Sequence, residues 1–226
     1  PDKVLIIANG RPIHEMNKDL EALEEGISTK LSYEFIISEI KGLGIARNYG
    51  IDLCKTEIII FGDDDDIWHK DRIKEIKSNV ENNNPCLVNH YHNTLENNKI
   101  NPVPWKYKSK PNPFNVGFAN LIGGGSSMAG SLSIFKIIKF ADYKYCEDWD
   151  FWIRSYLAGI KIILIEKELV TYRIHSRRMT KSFKGIYAFE NVIRFKYFLG
   201  FLFFILGIIL GFLKSTIVLS IRLIYF

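Results

Sequence analysis

With 226 residues, 47% of them hydrophobic and 24% charged, the chain can bury a core and is not globally disordered. Its three cysteines, Cys54, Cys86 and Cys146, are widely spaced and form no CxxC pair. That argues against a zinc ribbon and a disulfide scaffold, and for reduced thiols in a cytosolic compartment. The net charge of +5 leaves room for an anionic partner: nucleic acid, anionic lipid or a phosphorylated substrate.

The chain opens on Pro1 with no signal-peptide pattern behind it, and it reads as a piece of a longer protein. Residues 4–8 are a β-rich apolar run, and residues 15–25 carry a helical pattern. Residues 57–61 form a second apolar run, followed by a helical pattern over 69–80. This alternation predicts an α/β fold, a mostly parallel sheet flanked by helices. The run Asn82-Asn83-Asn84-Pro85 signals a turn, and residues 96–117, rich in Asn, Pro and Lys, are expected to form a long loop over the sheet. There is no internal repeat.

The C-terminal part differs. Residues 173–196 hold seven Lys or Arg and one acid, Glu190, and residues 197–213 carry no charge. As a helix that uncharged run would span roughly 25 Å, the short end for crossing a bilayer. It is hydrophobic all round rather than along one stripe, so a membrane is the expected environment. A spanning helix, a re-entrant hairpin and an in-plane anchor all fit. Residues 181–196 are expected to be a basic amphipathic connector and 197–226 a membrane-associated segment, with the basic flank on the cytoplasmic side.

The strongest chemical signal is Asp63-Asp64-Asp65-Asp66, four acids directly after an apolar strand. In open α/β sheets ligands bind beyond the carboxyl ends of strands. Adjacent carboxylates repel unless a cation or strong hydrogen bonds offset the repulsion. Hard oxygen ligands of this kind suit Mg²⁺ or Mn²⁺ with substrate phosphate completing the shell. An EF-hand is excluded: the sixth loop position is Trp68 and the twelfth Lys74. A phosphatase of the haloacid-dehalogenase type also begins DxD after a strand; there Asp63 would be the nucleophile and Asp65 the acid.

Upstream, Gly42 and Gly44 permit close backbone approach at a helix start, and Arg47 can meet a phosphate or a base edge. A GxARNxGI segment (residues 44–51), a strand and a D-x-D-D-x-W turn (63–68) together resemble the GT-A glycosyltransferases of family 2. Three later segments extend the resemblance, which covers roughly residues 3–180. Gly123-Gly124-Gly125-Ser126-Ser127 is similar to the small-residue segment lining the acceptor side of that family's cleft. Glu147-Asp148-Trp149 resembles its ED motif, and Tyr172-Arg173-Ile174-His175 its YRxH segment.

The resemblance implies a GT-A domain over 1–180 and inverting transfer from a nucleotide-diphosphate sugar. It makes Asp148 the general base, with Glu147 as alternative. Asn9, Arg47, Asn48 and Asp63 would bind the nucleotide. Asp65, with Asp63 or Asp66 and with His175, would hold Mn²⁺ or Mg²⁺. A membrane-docked C-terminus, rather than the site itself, favours a glycan or lipid-linked acceptor in cell-surface polysaccharide or glycolipid synthesis, at the cytoplasmic face of the cell membrane. Nucleic acid is not expected as a partner. The sequence departs from the family at its start. The spacing from Asn9 to Arg47 suits the family's second strand rather than its first, so the first strand and helix are read as missing, and Asn9 stands where an acid is usual. The competing readings are the phosphatase using Asp63 and an inactive truncated module that binds a nucleotide.

Overall fold

The computed structural model describes residues 1–10, 12–26, 32–38, 41–102, 112, 116, 122–175, 190, 192–194 and 196–197, with residues 19 and 22–26 as backbone alone. The chain divides into two compact units, 1–182 and 183–226.

The first unit opens with β1 (Val4–Asn9), α1 (Ile13–Gly26), β2 (Tyr33–Ser38) and α2 (Leu43–Leu53). β1 and β2 pair in parallel, Val4 opposite Tyr33 through Asn9 opposite Ser38. A larger sheet follows from β3 (Ile58–Ile60), β4 (Ile67–Trp68), β5 (Leu87–Glu96), β6 (Lys99–Asn101), β7 (Met128–Ser131) and β8 (Ile162–Arg173). Helices α3 (Arg72–Glu81), α4 (Leu132–Ile137) and α5 (Glu147–Leu157) interleave with these strands. The larger sheet runs β3-β7-β5-β8-β4, with β6 beside β5.

Two sequence expectations are corrected here. The larger sheet is mixed rather than mostly parallel, because among its pairings only β5 with β8 is parallel. β7 leaves the small-residue turn beyond the carboxyl end of β3, and so must run back antiparallel between β3 and β5. Nor are residues 96–117 one long loop. Asn97 and Asn98 both take positive φ, 49° and 61°, and turn β5 into β6 as a hairpin. Asn is among the residues that adopt this left-handed pair most readily.

The core lies between α3 and the sheet. Ile76 and Val80, one turn apart on α3, pack with Cys86, Val88, Ala129, Ile165 and Leu169. A second apolar layer forms where Phe151 of α5 stacks on Phe135 and Phe140. Phe61, at the end of β3, meets the same two rings edge-on at 5.1 and 5.6 Å. The residue that leads into the four acids is therefore anchored in the core. The pairing of β4 with β8, Ile67 opposite Thr171, brings the far end of the acidic turn to the end of β8.

In the second unit the described residues are helical, and Arg194 donates to Glu190 one turn away at 2.9 Å. The apolar segment expected to meet a membrane lies outside the described residues. Among those residues, no helix is long and apolar enough to cross a membrane.

Candidate active site

The acidic turn is built from its two ends inward. Asp66 N–H donates to Asp63 C=O at 3.3 Å, closing the turn. Gly62 lies under the indole of Trp68; a Cβ there would fall less than 3.0 Å from three ring atoms. Asp63 N–H donates to the Ser126 hydroxyl at 2.8 Å, and that hydroxyl is hydrogen-bonded to Asp66 as well. Asp66 also accepts from Arg173 N–H at 3.2 Å, and His175 Nε2 lies 2.8 Å from Asp65 Oδ2. Burial raises the Asp66 pKa to about 6, with Asp63 and Asp65 adding to the rise against the hydrogen bonds from Ser126 and Arg173. Asp63, Asp65 and Asp66 can each offer one carboxylate oxygen within 4.8 Å of the others. Three half-buried hard oxygens that converge in this way fit a divalent cation.

A second carboxylate pair stands behind a buried arginine. α2 presents Gly44, Ala46, Arg47 and Ile51 to the interior. Arg47 Nη1 donates to Glu147 Oε1 at 2.6 Å, and Nη2 lies 3.4 Å from Asp63 Oδ1. Burial disfavours the Arg47 charge, but Glu147, Asp63 and Asp148 outweigh it and hold its pKa above the ordinary value. Glu147 and Asp148 open α5, after Cys146 in the left-handed region at φ 62°. Asp148 Oδ1 accepts from Trp149 N–H at 2.7 Å, a free amide of the first helical turn. Desolvation, helped by the Glu147 charge and opposed by Arg47, raises the Asp148 pKa to about 7. A carboxylate poised there can take up a proton near neutral pH.

The glycine-serine segment joins the two carboxylate groups. Residues Gly125–Ser127 make one turn of 3-10 helix, and both serines are fully buried. A Cβ on Gly124 would sit 3.2 Å from the Tyr172 hydroxyl and 3.6 Å from Asp148 Oδ2. One on Gly125 would sit 2.5 Å from Arg47 Cζ. Tyr172 donates to Ser127 Oγ at 3.4 Å, and its ring stacks on His92. Burial pushes the Tyr172 pKa well up, so its hydroxyl stays protonated.

The family model described as glycosyl transferase family 2 matches residues 5–138. The chain belongs to this family. It is similar to the UDP-Gal:alpha-D-GlcNAc-diphosphoundecaprenol beta-1,3-galactosyltransferase of Escherichia coli, at 25% identity over 209 residues, 85% of this chain and 70% of that one. It is similar to the amylovoran biosynthesis glycosyltransferase AmsB of Erwinia amylovora, at 26% identity over 73% of this chain and 60% of that one. Among solved structures it resembles S. aureus TarS 1-349 in complex with UDP-GlcNAc, with a TM-score of 0.61. That match has 16% identity and covers 80% of this chain and 52% of that one, so it speaks for the shared α/β GT-A fold. The chain thus spans about half of TarS 1-349 and 60% of AmsB. Family membership sets aside the phosphatase reading of Asp63.

Of the residues singled out in this family 2 enzyme, the structure links Arg47, Asp63, Asp65, Asp66, Glu147 and His175 through direct contacts, with Asp148 beside the glycine segment. Arg47 is part of the site's wall, its guanidinium engaged by Glu147 and Asp63. Asn48 faces elsewhere: its Nδ2 donates to Phe140 C=O at 2.9 Å and its Oδ1 accepts from Phe140 N–H at 2.8 Å. It staples α2 to the segment before α5. Asn9, at the end of β1, donates to Gly42 C=O at 3.2 Å, beside the start of α2. Trp149 and Trp152 are buried, donating to Val116 and Gly123 carbonyls, and are core residues. Sequence reasoning named Ser126 and Tyr172 only within family-like segments, with no role of their own, and did not single out Arg72. For Arg72 a signal existed: it falls on the buried stripe of α3 with Ile76 and Val80.

Proposed function

We propose that this family 2 enzyme moves a sugar from a nucleotide-diphosphate sugar to a glycan or lipid-linked glycan acceptor, by inversion and with a divalent metal. The observation that carries the proposal is the convergence of two carboxylate groups on one glycine-serine segment: the acidic turn on one side, Glu147 and Asp148 on the other. Inverting transfer needs these two functions at opposite ends of the reacting bond. Asp63, Asp65 and Asp66, with His175 against Asp65, would hold Mn²⁺ or Mg²⁺. Such an ion supplies Lewis-acid stabilisation of the departing diphosphate. Asp148 takes the proton from the acceptor hydroxyl as that oxygen attacks the anomeric carbon, and a pKa near 7 suits it to do so at neutral pH. Glu147, held by Arg47, sets the charge beside Asp148. Gly124 leaves the space in front of Asp148 open.

The names of the relatives support a nucleotide-sugar donor and a lipid-linked or polysaccharide acceptor. The basic run before the apolar C-terminal segment supports work at the cytoplasmic face of a membrane. Calorimetric titration of UDP and then GDP, with and without Mn²⁺, tests the reading on the chain and on Asp65→Ala. Metal-dependent binding that disappears in the variant is expected. Equal binding by both proteins with and without Mn²⁺ would remove the metal from the proposal.

A further inference from the structure

Arg72 opens α3 and is fully buried, on the same stripe as Ile76 and Val80. A guanidinium in such a place needs several partners to offset its lost hydration. Its partners are unusual, because no carboxylate among the described residues lies within ion-pair distance of it. Nη2 donates to Phe61 C=O at 2.7 Å and also to Ser126 C=O. Nε donates to His90 Nε2 at 3.1 Å. The flat face lies over the Trp68 indole, Cζ 4.0 Å from the ring centroid. Burial lowers the Arg72 pKa to about 10, so the group is still charged at neutral pH. Burial and the Arg72 charge push His90 down to about 3. The imidazole is therefore neutral, its Nδ1–H donating to Tyr91 C=O and its Nε2 accepting from Arg72.

These contacts grip the acidic turn from behind. Phe61 precedes the turn, Trp68 follows it, and Ser126 holds Asp63 and Asp66 through its hydroxyl. One side chain thus ties both ends of residues 62–67 to the glycine-serine segment. We propose that Arg72 is a positioning residue: without touching the ion, it presets Asp63, Asp65 and Asp66 in the arrangement that binds a divalent cation. The inference rests on the metal role given above to those three acids. The acids repel one another, and unrestrained ends would let the turn open. Lysine keeps the charge but has neither the flat face that stacks on the indole nor a second nitrogen to reach His90 while the first holds the two carbonyls. Methionine keeps the stem and the apolar contact alone.

The test is titration of the full chain with Mn²⁺ alone at pH 7.5, reading free Mn²⁺ by electron paramagnetic resonance. A parallel measurement follows the melting temperature in EDTA and in Mn²⁺. Loss of an outer partner of a metal site weakens the metal by about 10–100-fold. Arg72→Lys is expected to weaken Mn²⁺ about 10-fold and Arg72→Met about 30-fold or more. Both should lose most of the Mn²⁺-induced rise in melting temperature. A purely structural arginine would instead lower melting in EDTA and leave Mn²⁺ affinity alone. If Arg72→Met does not fold, Arg72→Lys decides. Wild-type affinity within about twofold in the folded variants overturns the proposal while leaving the metal reading intact. Failure of the wild-type chain to bind Mn²⁺ overturns both.

Discussion

Gly125→Ala separates backbone from contact effects at the centre of the site. Gly125 does not occupy the positive-φ region, so alanine is conformationally acceptable there. Where the added methyl fits, such a change stabilises a protein by about 0.4–1 kcal/mol through the unfolded chain. Here the new Cβ would overlap Arg47 Nη2 and stand 2.5 Å from Cζ, so the guanidinium must retreat by roughly 1.5–2 Å to reach ordinary contact. That group is 8% exposed and bonded to Glu147 at 2.6 Å, so retreat strains or breaks a charge-assisted hydrogen bond. Overpacking costs about 1–3 kcal/mol, and losing a hydrogen bond between charged groups about 1.5–3 kcal/mol. After the entropic gain, a net loss of ~3 kcal/mol follows. At about 2–4 °C per kcal/mol for a chain of this size, melting should fall by about 6–12 °C. Urea unfolding at constant m measures the free energy. The same substitution in an Arg47→Met background should cost less than about 1 kcal/mol, because the atoms it collides with are gone. A Gly125→Ala loss below about 0.5 kcal/mol, or strict additivity with Arg47→Met, would refute the close approach of this segment to Arg47.

Three further outcomes follow from the geometry. Asp148→Asn should lower kcat/KM by about 10²–10⁴-fold, and the wild-type profile should lose activity as pH falls through about 7; Glu147→Gln removes a negative neighbour and should move that limb to lower pH, while an unmoved limb would detach it from Asp148. Because the folded Asp148 pKa lies above its usual 3.8, the fold holds its proton more tightly than the unfolded chain, and stability present at pH 4 is lost as pH rises toward 7. Asp148→Asn should therefore be more stable than wild type at pH 8, by about 1–2 kcal/mol after solvent screening, and the gap should close at pH 4 in paired urea titrations. Asn48→Ala strands the Phe140 N–H and C=O and should cost about 2 kcal/mol with nucleotide affinity unchanged; a stable variant with weakened UDP binding would make Asn48 a nucleotide contact instead.

The acidic turn was legible because its four carboxylates are contiguous and follow an apolar strand, where ligand positions in such sheets fall. The helix start at Arg47 was legible as a pattern, but its partner was not. Arg47 reads as a phosphate or base ligand, whereas its Glu147 lies 100 residues away and is reached only through the α2 to α5 packing. The approach of His175 to Asp65 depends on the β4–β8 register, which no local signal encodes. β7 escaped notice because Met128, Ala129, Gly130 and Ser131 lack the β-branched and aromatic residues that mark strands. It forms because small residues suit the centre of a tightly packed sheet. Without β7 the alternation of elements reads as parallel, and the mixed order stays hidden. Arg72 was passed over because a charged residue on a helix is read as solvent-facing, although its spacing to Ile76 and Val80 places it on the buried stripe.

Charge balance ties these parts together. Five carboxylates, Asp63, Asp65, Asp66, Glu147 and Asp148, share this region with two buried guanidinium groups, Arg47 and Arg72, so fully ionised they carry three more negative than positive charges. Burial is the main cause of the upward shifts at Asp66 and Asp148, and the neighbouring carboxylates add to both. A nucleoside diphosphate would add further negative charge to the same space. Binding it therefore calls for a cation on the acidic turn, and the arginines cannot substitute: Arg47 is engaged by Glu147, and Arg72 faces backbone carbonyls. The two arginines hold the frame, and the turn they frame is left short of positive charge at the side where the diphosphate would lie. Raising ionic strength should weaken this long-range balance only modestly, since the groups are partly or fully buried and poorly screened. A divalent ion should strengthen UDP binding far more than monovalent salt at equal ionic strength.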